Sequence, residues 1–169
     1  MEFKENVKKA IKGNKDSFTI IIQSRKEKLY RIAYSYVRNQ EDALDIVQET
    51  VYKAFISINT LKNPEYFDTW IVRILINNSI NYMKQNKKVL YLEDEKSPKM
   101  ESYNSVEYLD LYDALNRLDD KLKTIIILKY FEDLTIREIA DILGEPINTV
   151  KTNLYRTLKK LKISIGEEE

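Results

Sequence analysis

The sequence predicts an all-α fold, arranged as two small helical domains joined by a flexible linker. Apolar residues recur at three- and four-residue spacing along most of the chain, which is the period of an amphipathic helix. Only three glycines and three prolines occur in 169 residues, too few for the tight turns of a multi-stranded β fold. An apolar fraction of 43% suffices for folded cores, and one polar stretch near the middle interrupts the periodicity.

The first domain is expected over residues 1–88, as four helices separated by residues typical of turns and caps. Those residues are Gly13-Asn14 after the first helix, Asp16-Ser17 before a second that runs to about Val37, Asn39 with Asp42 before a third through Ile58, and Asn63-Pro64-Glu65 before a fourth. The fourth helix contains WIVRILINNSINYMKQNKK, residues 70–88. Its three asparagines have low helix propensity, so a packing role alone does not explain them.

The polar stretch, residues 89–107, is predicted to be the linker. It contains Pro98 and carries five acidic residues against Lys96 and Lys99, a composition typical of mobile connections. Helical periodicity returns at Tyr108 and continues to about Ile163. The second domain is therefore expected over residues 108–165.

The composition also limits the chemistry. The chain has no cysteine and no histidine, which excludes disulfides, Cys/His metal sites and catalysis by imidazole or thiolate. Catalysis by carboxylate, serine or lysine side chains stays open. The N-terminal residues lack the apolar region of a signal peptide, and the apolar runs are shorter than a membrane span. We expect a soluble cytoplasmic protein with no metal and no cofactor.

The net charge of +1 conceals a marked segregation of charge. Residues 70–88 contain four bases and no acid, residues 147–163 contain five bases and no acid, and residues 40–58 are acidic with Lys53 as the single base. Two basic surfaces and an acidic one suggest two nucleic-acid contacts and one protein contact. Each patch alone is also compatible with an ordinary solvated helix face.

The segment LTIREIADILGEPINTVKTNLYRTLKKLK predicts a helix-turn-helix. Thr135 and Glu138 form a capping box, Gly144 can end the first helix in the left-handed conformation, and Pro146 prevents its continuation. The second helix is expected to start near Asn148-Thr149. Its exposed side chains could reach base edges and phosphates from a major groove. They are Thr149, Lys151, Thr152, Asn153, Tyr155, Arg156 and Lys159.

Three segments together resemble the extracytoplasmic-function (ECF) sigma factors of bacterial RNA polymerase. They are EDALDIVQETVYKAF (41–55), FDTWIVRILINNSINYMK (67–84) and the stretch 114–161, which ends in the helix-turn-helix. Asp119, Asn148 and Asn153 depart from the residues common in the family, where Pro, Gly and Arg respectively are usual. The last two departures put the upstream promoter sequence in doubt, but not the function.

The resemblance implies a transcription initiation factor that is not itself an enzyme. Its first domain, region 2, would bind core RNA polymerase and melt and read the minus-10 element of promoter DNA. Its second domain, region 4, would bind the minus-35 element. The resemblance also implies an anti-sigma factor as a partner, one that is membrane-anchored and holds the protein at the membrane.

The resemblance assigns the third helix to the clamp coiled coil of the polymerase's largest subunit. Charge alone would leave that helix as a solvated face. The core-binding residues are expected to be Asp42, Asp45, Gln48 and Glu49.

The fourth helix is expected to read the minus-10 element. At about 100° per residue, one quarter of its circumference holds a basic stripe with amides, made of Arg73, Asn77, Asn81, Lys84 and Lys88. Amides can pair with the edges of unpaired bases while cations hold phosphates. Asn78 lies off the stripe and has no expected DNA role.

In the family, the loop before this helix accepts a flipped base. Asn63, Tyr66 and Phe67 are therefore candidates here, although Phe67 is equally compatible with a core position. Trp70 is as compatible with packing as with base stacking.

Two other functions remain as alternatives. A helix-turn-helix regulator that binds duplex DNA as a dimer would explain residues 114–161 but not residues 41–84. A helical adaptor without a DNA role would explain neither acid-free basic segment.

Overall fold

The computed structural model describes residues 1–92 and 106–165, with side chains for residues 1–86 and 111–162. Within those ranges the regular structure is entirely helical. The chain divides into two compact units between Gln85 and Asn86. The predicted all-α fold in two helical domains is confirmed. Most of the predicted linker, residues 93–105, lies outside the described residues.

The first unit contains five α-helices and two short 3-10 turns among its described residues. The helices are α1 (Glu2–Ile11), α2 (Lys15–Gln23), α3 (Lys26–Val37), α4 (Gln40–Ser57) and α5 (Phe67–Leu92), which continues past the boundary at Gln85, and the turns are Ile58–Thr60 and Pro64–Tyr66 between α4 and α5.

Asparagine side chains start two of these helices. The Asn39 carboxamide accepts a hydrogen bond from the Asp42 backbone N–H at 2.9 Å, which confirms the predicted cap of α4. At α2 the cap is Asn14, whose Oδ1 accepts from the Ser17 N–H at 2.8 Å. The prediction that Asp16 and Ser17 form this cap is wrong, because both residues lie inside the first turn of α2.

The prediction of a single helix up to Val37 is also wrong, because that helix is interrupted between α2 and α3. The Ser24 hydroxyl donates to the Ile21 carbonyl at 2.7 Å, and the Arg25 N–H donates to the Ile22 carbonyl at 3.0 Å. These bonds satisfy the carbonyls that a continuing helix would use. Arg25 then leaves helical geometry, with φ −115° and ψ −4°.

Apolar side chains from α2, α3, α4 and α5 meet in the core of the first unit. The largest that are almost completely buried are Ile21, Leu29, Ile32, Ile46, Phe67, Ile71 and Leu75. Ile71, Val72 and Leu75 lie on the inner face of α5, while Tyr82 and Met83 on the same helix are half-buried. One face of α5 is thus committed to packing, and the other is available to solvent.

The second unit contains four α-helices and one π-helical turn among its described residues. They are α6 (Val106–Asn116), α7 (Asp120–Ile126), the π turn Ile127–Phe131, α8 (Ile136–Leu143) and α9 (Ile147–Ile165). The Asp119 carboxylate caps α7 by accepting from the Leu122 N–H at 3.0 Å. The residue that replaces the family's usual proline therefore still starts a helix.

The turn between α8 and α9 forms as predicted. Thr135 and Glu138 make the reciprocal bonds of a capping box at the start of α8, and Gly144 ends that helix with φ +65°. A side chain on residue 144 would be strained in this left-handed conformation. The second helix begins at Ile147, slightly earlier than predicted, and the buried side chains of Ile139, Ala140 and Val150 pack where the two helices meet.

Candidate nucleic-acid and protein interfaces

The exposed face of α5 carries the predicted basic stripe. Arg73, Asn77, Asn81 and Lys84 are all exposed, and they recur at the four- and three-residue spacing that keeps them on one face. The side chain of Lys88, the fifth member of the stripe, lies outside the described residues. The four described side chains offer two amides between two cations, a combination that can bind a base edge and the phosphates beside it.

Asn78 points the other way and is 6% exposed. Its Nδ2 donates to Thr50 Oγ1 at 3.0 Å, and its Oδ1 accepts from Lys53 Nζ at 2.6 Å. Thr50 in turn donates to the Ile46 carbonyl at 2.7 Å. The third asparagine therefore joins α5 to α4.

Sequence reasoning left Asn78 without a role. The available signal was its place in the series Ile71, Leu75, Asn78, which marks the buried face of the helix. A buried amide on such a face needs partners, but the sequence did not show that α4 supplies them.

The candidate residues at and just before the start of α5 differ in exposure. Asn63 is exposed, and its Oδ1 accepts from the Glu65 N–H at 3.0 Å, which starts the second 3-10 turn. Tyr66 is 59% exposed, whereas Phe67 is completely buried. Phe67 is a core residue, so its side chain is not available for stacking on a base. Trp70 is half-buried, with its ring centroid 6.0 Å from that of Phe67.

The acidic stripe on α4 is mostly open to solvent. Asp45, Gln48 and Glu49 are exposed, and Asp42 is half-buried. The Tyr82 hydroxyl donates to Asp42 Oδ1 at 2.6 Å, so this carboxylate also connects α4 to α5. The other three side chains are placed where a basic partner surface could reach them.

An apolar groove of about 680 Å³ lies beside this stripe. It runs between α2, α3 and α4, and its lining includes Phe18, Ile22, Leu44, Val47, Tyr52 and Phe55. Leu44, Tyr52 and Phe55 are 41%, 60% and 45% exposed. An apolar centre with a polar rim is the usual composition of a protein interface. Sequence reasoning found the rim and missed the groove, because its walls come from three helices.

The second helix of the helix-turn-helix, α9, has one buried and one exposed face. Among the apolar side chains of α8 and α9, Ile139, Val150, Leu154 and Leu161 are buried, and Leu143 and Leu158 are half-buried. Of the predicted DNA-contacting residues, Lys151, Thr152, Tyr155, Arg156 and Lys159 are exposed, and Thr149 and Asn153 are half-buried. The seven side chains thus lie on or beside a solvent-facing surface that has the chemistry of a recognition helix.

Within the described parts of the chain, no helix has the length and apolarity needed to cross a bilayer. The same residues contain no group of three or more carboxylates that could hold a metal ion.

Both units match known families. Residues 21–89 match the family described as sigma-70 region 2, and residues 108–161 match sigma-70, region 4. The RNA polymerase sigma factor SigV of Bacillus subtilis (strain 168) is 45% identical over 150 residues, which cover 88% of this chain and 90% of that protein. The ECF RNA polymerase sigma factor SigW of the same organism is 31% identical over 96% of both chains.

Solved structures share the fold at lower identity. CnrH, in complex with the cytosolic domain of CnrY, is 20% identical, with a TM-score of 0.73 over the full length of both chains. The sigma factor RpoE, in complex with the anti-sigma factor NepR from Bartonella quintana, is 22% identical, with a TM-score of 0.66. That match covers 90% of this chain and 98% of RpoE.

The neighbouring asparagines of α5 give opposite predictions for stability. Asn78→Ala should lower the free energy of unfolding of the first unit by about 1–3 kcal/mol, because it leaves Thr50 and Lys53 without the amide that joins them. Asn77→Ala, at the adjacent exposed site, should change it by less than about 0.5 kcal/mol. Urea denaturation followed by the fluorescence of Trp70, the only tryptophan of the chain, measures both. Equal effects at the two positions would contradict the assignment.

Proposed function

The chain belongs to the ECF branch of the sigma-70 family, and we propose which of its surfaces bind promoter DNA and which bind core RNA polymerase. As a sigma factor it directs core RNA polymerase to promoters and helps to initiate transcription. RNA synthesis is the reaction of the polymerase, so we assign this chain no catalytic residue and no cofactor. We take residues 1–88 as region 2, residues 89–107 as the linker and residues 108–165 as region 4.

The observation that carries the proposal is the presence of two exposed basic helix faces in two separate units. The basic stripe of α5 lies in the first unit, and the exposed face of α9 lies in the second. A regulator that binds duplex DNA as a dimer needs only the helix-turn-helix. Relatives that match both units, along nearly their whole length, favour the sigma factor over that alternative.

We assign minus-10 recognition to region 2. Its residues for this purpose are Arg73, Asn77, Asn81, Lys84 and Lys88 on α5, with Asn63 in the preceding segment. Exposed amides suit the edges of bases in a melted strand, and the flanking cations suit its phosphates. Asn63 is exposed next to the first turn of α5, where a base removed from the stack could be bound.

We assign the minus-35 element to α9, where a helix with an acid-free exposed face suits the major groove. The residues are Thr149, Lys151, Thr152, Asn153, Tyr155, Arg156 and Lys159.

We assign core RNA polymerase to the acidic stripe of α4, through Asp42, Asp45, Gln48 and Glu49. Exposed carboxylates beside an apolar groove suit a basic coiled coil that also presents apolar side chains.

We further propose that an anti-sigma factor covers part of these surfaces between rounds of transcription. RpoE, which shares the fold, was solved with the anti-sigma factor NepR. A membrane-anchored inhibitor would hold this cytoplasmic protein at the membrane until a signal releases it. A copurified inhibitor that leaves core binding intact would contradict this arrangement.

Run-off transcription with purified core polymerase tests the function directly. Core plus this protein should produce transcripts of defined start on a library of promoter fragments, and core alone should not. The protein alone should bind the same fragments weakly. Strong, sequence-specific binding of duplex DNA without polymerase, together with no transcription, would favour the dimeric regulator instead.

Replacing both amides of the stripe separates function from folding. Asn77→Ala with Asn81→Ala should keep or slightly raise the stability of the first unit, because alanine has the higher helix propensity and both sites are exposed. Transcription from a duplex promoter should fall, and discrimination among minus-10 sequences should weaken.

The loss should shrink on a pre-melted promoter if the amides assist opening, and persist there if they only read sequence. A double variant that unfolds, or one that transcribes with unchanged minus-10 preference, would show that the stripe does not have this role.

Replacing the cations of α9 should weaken promoter binding in one of two distinguishable ways. Arg156→Ala and Lys151→Ala should each cost holoenzyme about 1–3 kcal/mol of binding at the preferred minus-35 element if the side chain contacts a base. A phosphate contact would instead weaken binding to all sequences alike and reduce its salt dependence. Arg117→Ala, which removes an exposed cation of the second unit outside α9, is the matched control. Unchanged promoter binding in both variants would remove α9 from the interface.

A further inference from the structure

The segment between α4 and α5 has little stability of its own. It consists of the two 3-10 turns and the three residues that join them. Turns of this kind make few hydrogen bonds, so their conformation depends on what packs against them. Ile58 and Leu61 bury the apolar side of the segment, whereas Asn63 and Tyr66 are exposed. The position of those two exposed side chains is therefore set by contacts elsewhere in the first unit.

The first turn of α1 supplies several of these contacts, and α1 packs against both 3-10 turns. Lys4 Nζ donates to Glu65 Oε1 at 2.5 Å, and this bond holds the pKa of the Glu65 carboxyl below its usual value. The Phe3 ring meets the buried Phe67 ring edge to face, with the centroids 5.8 Å apart. Residues on both sides of Tyr66 are thus held by α1.

Arg25, the residue before α3, bonds to the start of α5 and packs against α1. Its Nε and Nη2 donate to the two carboxylate oxygens of Asp68 at 2.5 Å and 3.0 Å. Its guanidinium carbon also lies 4.0 Å from the centroid of the Phe3 ring. One planar group therefore contacts both α1 and the first turn of α5. Lysine could offer neither the paired hydrogen bonds nor the flat face.

We propose that Phe3, Lys4 and Arg25 are positioning residues for minus-10 recognition, which hold the segment 58–66 so that Asn63 and Tyr66 are presented to DNA in one conformation. The inference rests on the proposed role of the first unit at the minus-10 element. The three residues act through the segment and need not touch DNA. A segment held in one conformation cannot rearrange around a wrong base, so these contacts contribute to discrimination between promoters.

The test is run-off transcription by reconstituted holoenzyme from a library with a randomised minus-10 element, read by sequencing the transcribed templates. Phe3→Leu keeps an apolar side chain but removes the ring. Arg25→Lys keeps the charge but removes the two guanidinium N–H groups that bond to Asp68. Each should reduce the preference for the best minus-10 sequence over its single-base variants about three- to tenfold. The loss should fall on the base positions that Asn63→Ala also affects. Affinity for core polymerase and preference at the minus-35 element should stay at wild-type values.

Charge variants on α1 provide a matched control. Lys4→Glu should lower discrimination, and adding Glu65→Lys should restore it by reversing the pair. Lys8→Glu, on the same helix, alters an exposed lysine that pairs with Glu5 within α1, and it should leave discrimination unchanged. These side chains are half-exposed, so the charge variants decide the test if Phe3→Leu or Arg25→Lys does not fold.

Three results would overturn the proposal in distinguishable ways. Folded variants that discriminate like wild type, while Asn63→Ala does not, would remove the positioning role and leave the proposed function intact. An equal loss of core affinity, minus-35 preference and minus-10 preference would show a purely structural role. A wild-type protein that gives no promoter-specific transcription with core would overturn the proposed function and, with it, this inference.

Discussion

The hydrogen bonds of Asn78 to Thr50 and Lys53 fix α5 against α4, and the arrangement of the first unit depends on this contact. Each of the two helices turns a charged stripe towards solvent. Their inner faces must therefore supply all of the adhesion, and a buried amide specifies one register where apolar side chains alone would allow several. The acidic outer face of α4 and the basic outer face of α5 are thereby held on one rigid support.

Identical residue types acquire different roles from their angle around one helix. Asn77 and Asn78 are neighbours in the chain, yet Asn77 is exposed and Asn78 is buried, with only 6% of its surface accessible. The rotation of about 100° per residue is enough to move a side chain from solvent into the core. Sequence periodicity predicted that separation for α5. It could not predict the partners of Asn78, because they lie on a different helix, 25 and 28 residues earlier.

The same distinction explains which other features the sequence could predict. The cap of α4 by Asn39 and the capping box of Thr135 depend on residues three positions apart, so local pattern is sufficient. The side chain of Arg25, at the break between α2 and α3, bonds to Asp68, 43 residues away, and no local pattern reveals that partner. The apolar groove beside α4 needs three helices to form its walls. Helical sequence patterns carry local information well, and they carry little about surfaces assembled from several elements.

The segregation of charge without net charge has a consequence for the protein when it is not bound to polymerase. A strongly cationic DNA-binding protein is sequestered by non-specific binding to the chromosome, because bulk DNA offers a vast excess of phosphate. This chain carries 28 bases and 27 acids, so its long-range attraction to DNA nearly cancels, and its basic faces act only at close range. Molecules that are bound neither to polymerase nor to the proposed inhibitor are therefore weakly retained by bulk DNA, and polymerase can recruit them without competing against the whole genome.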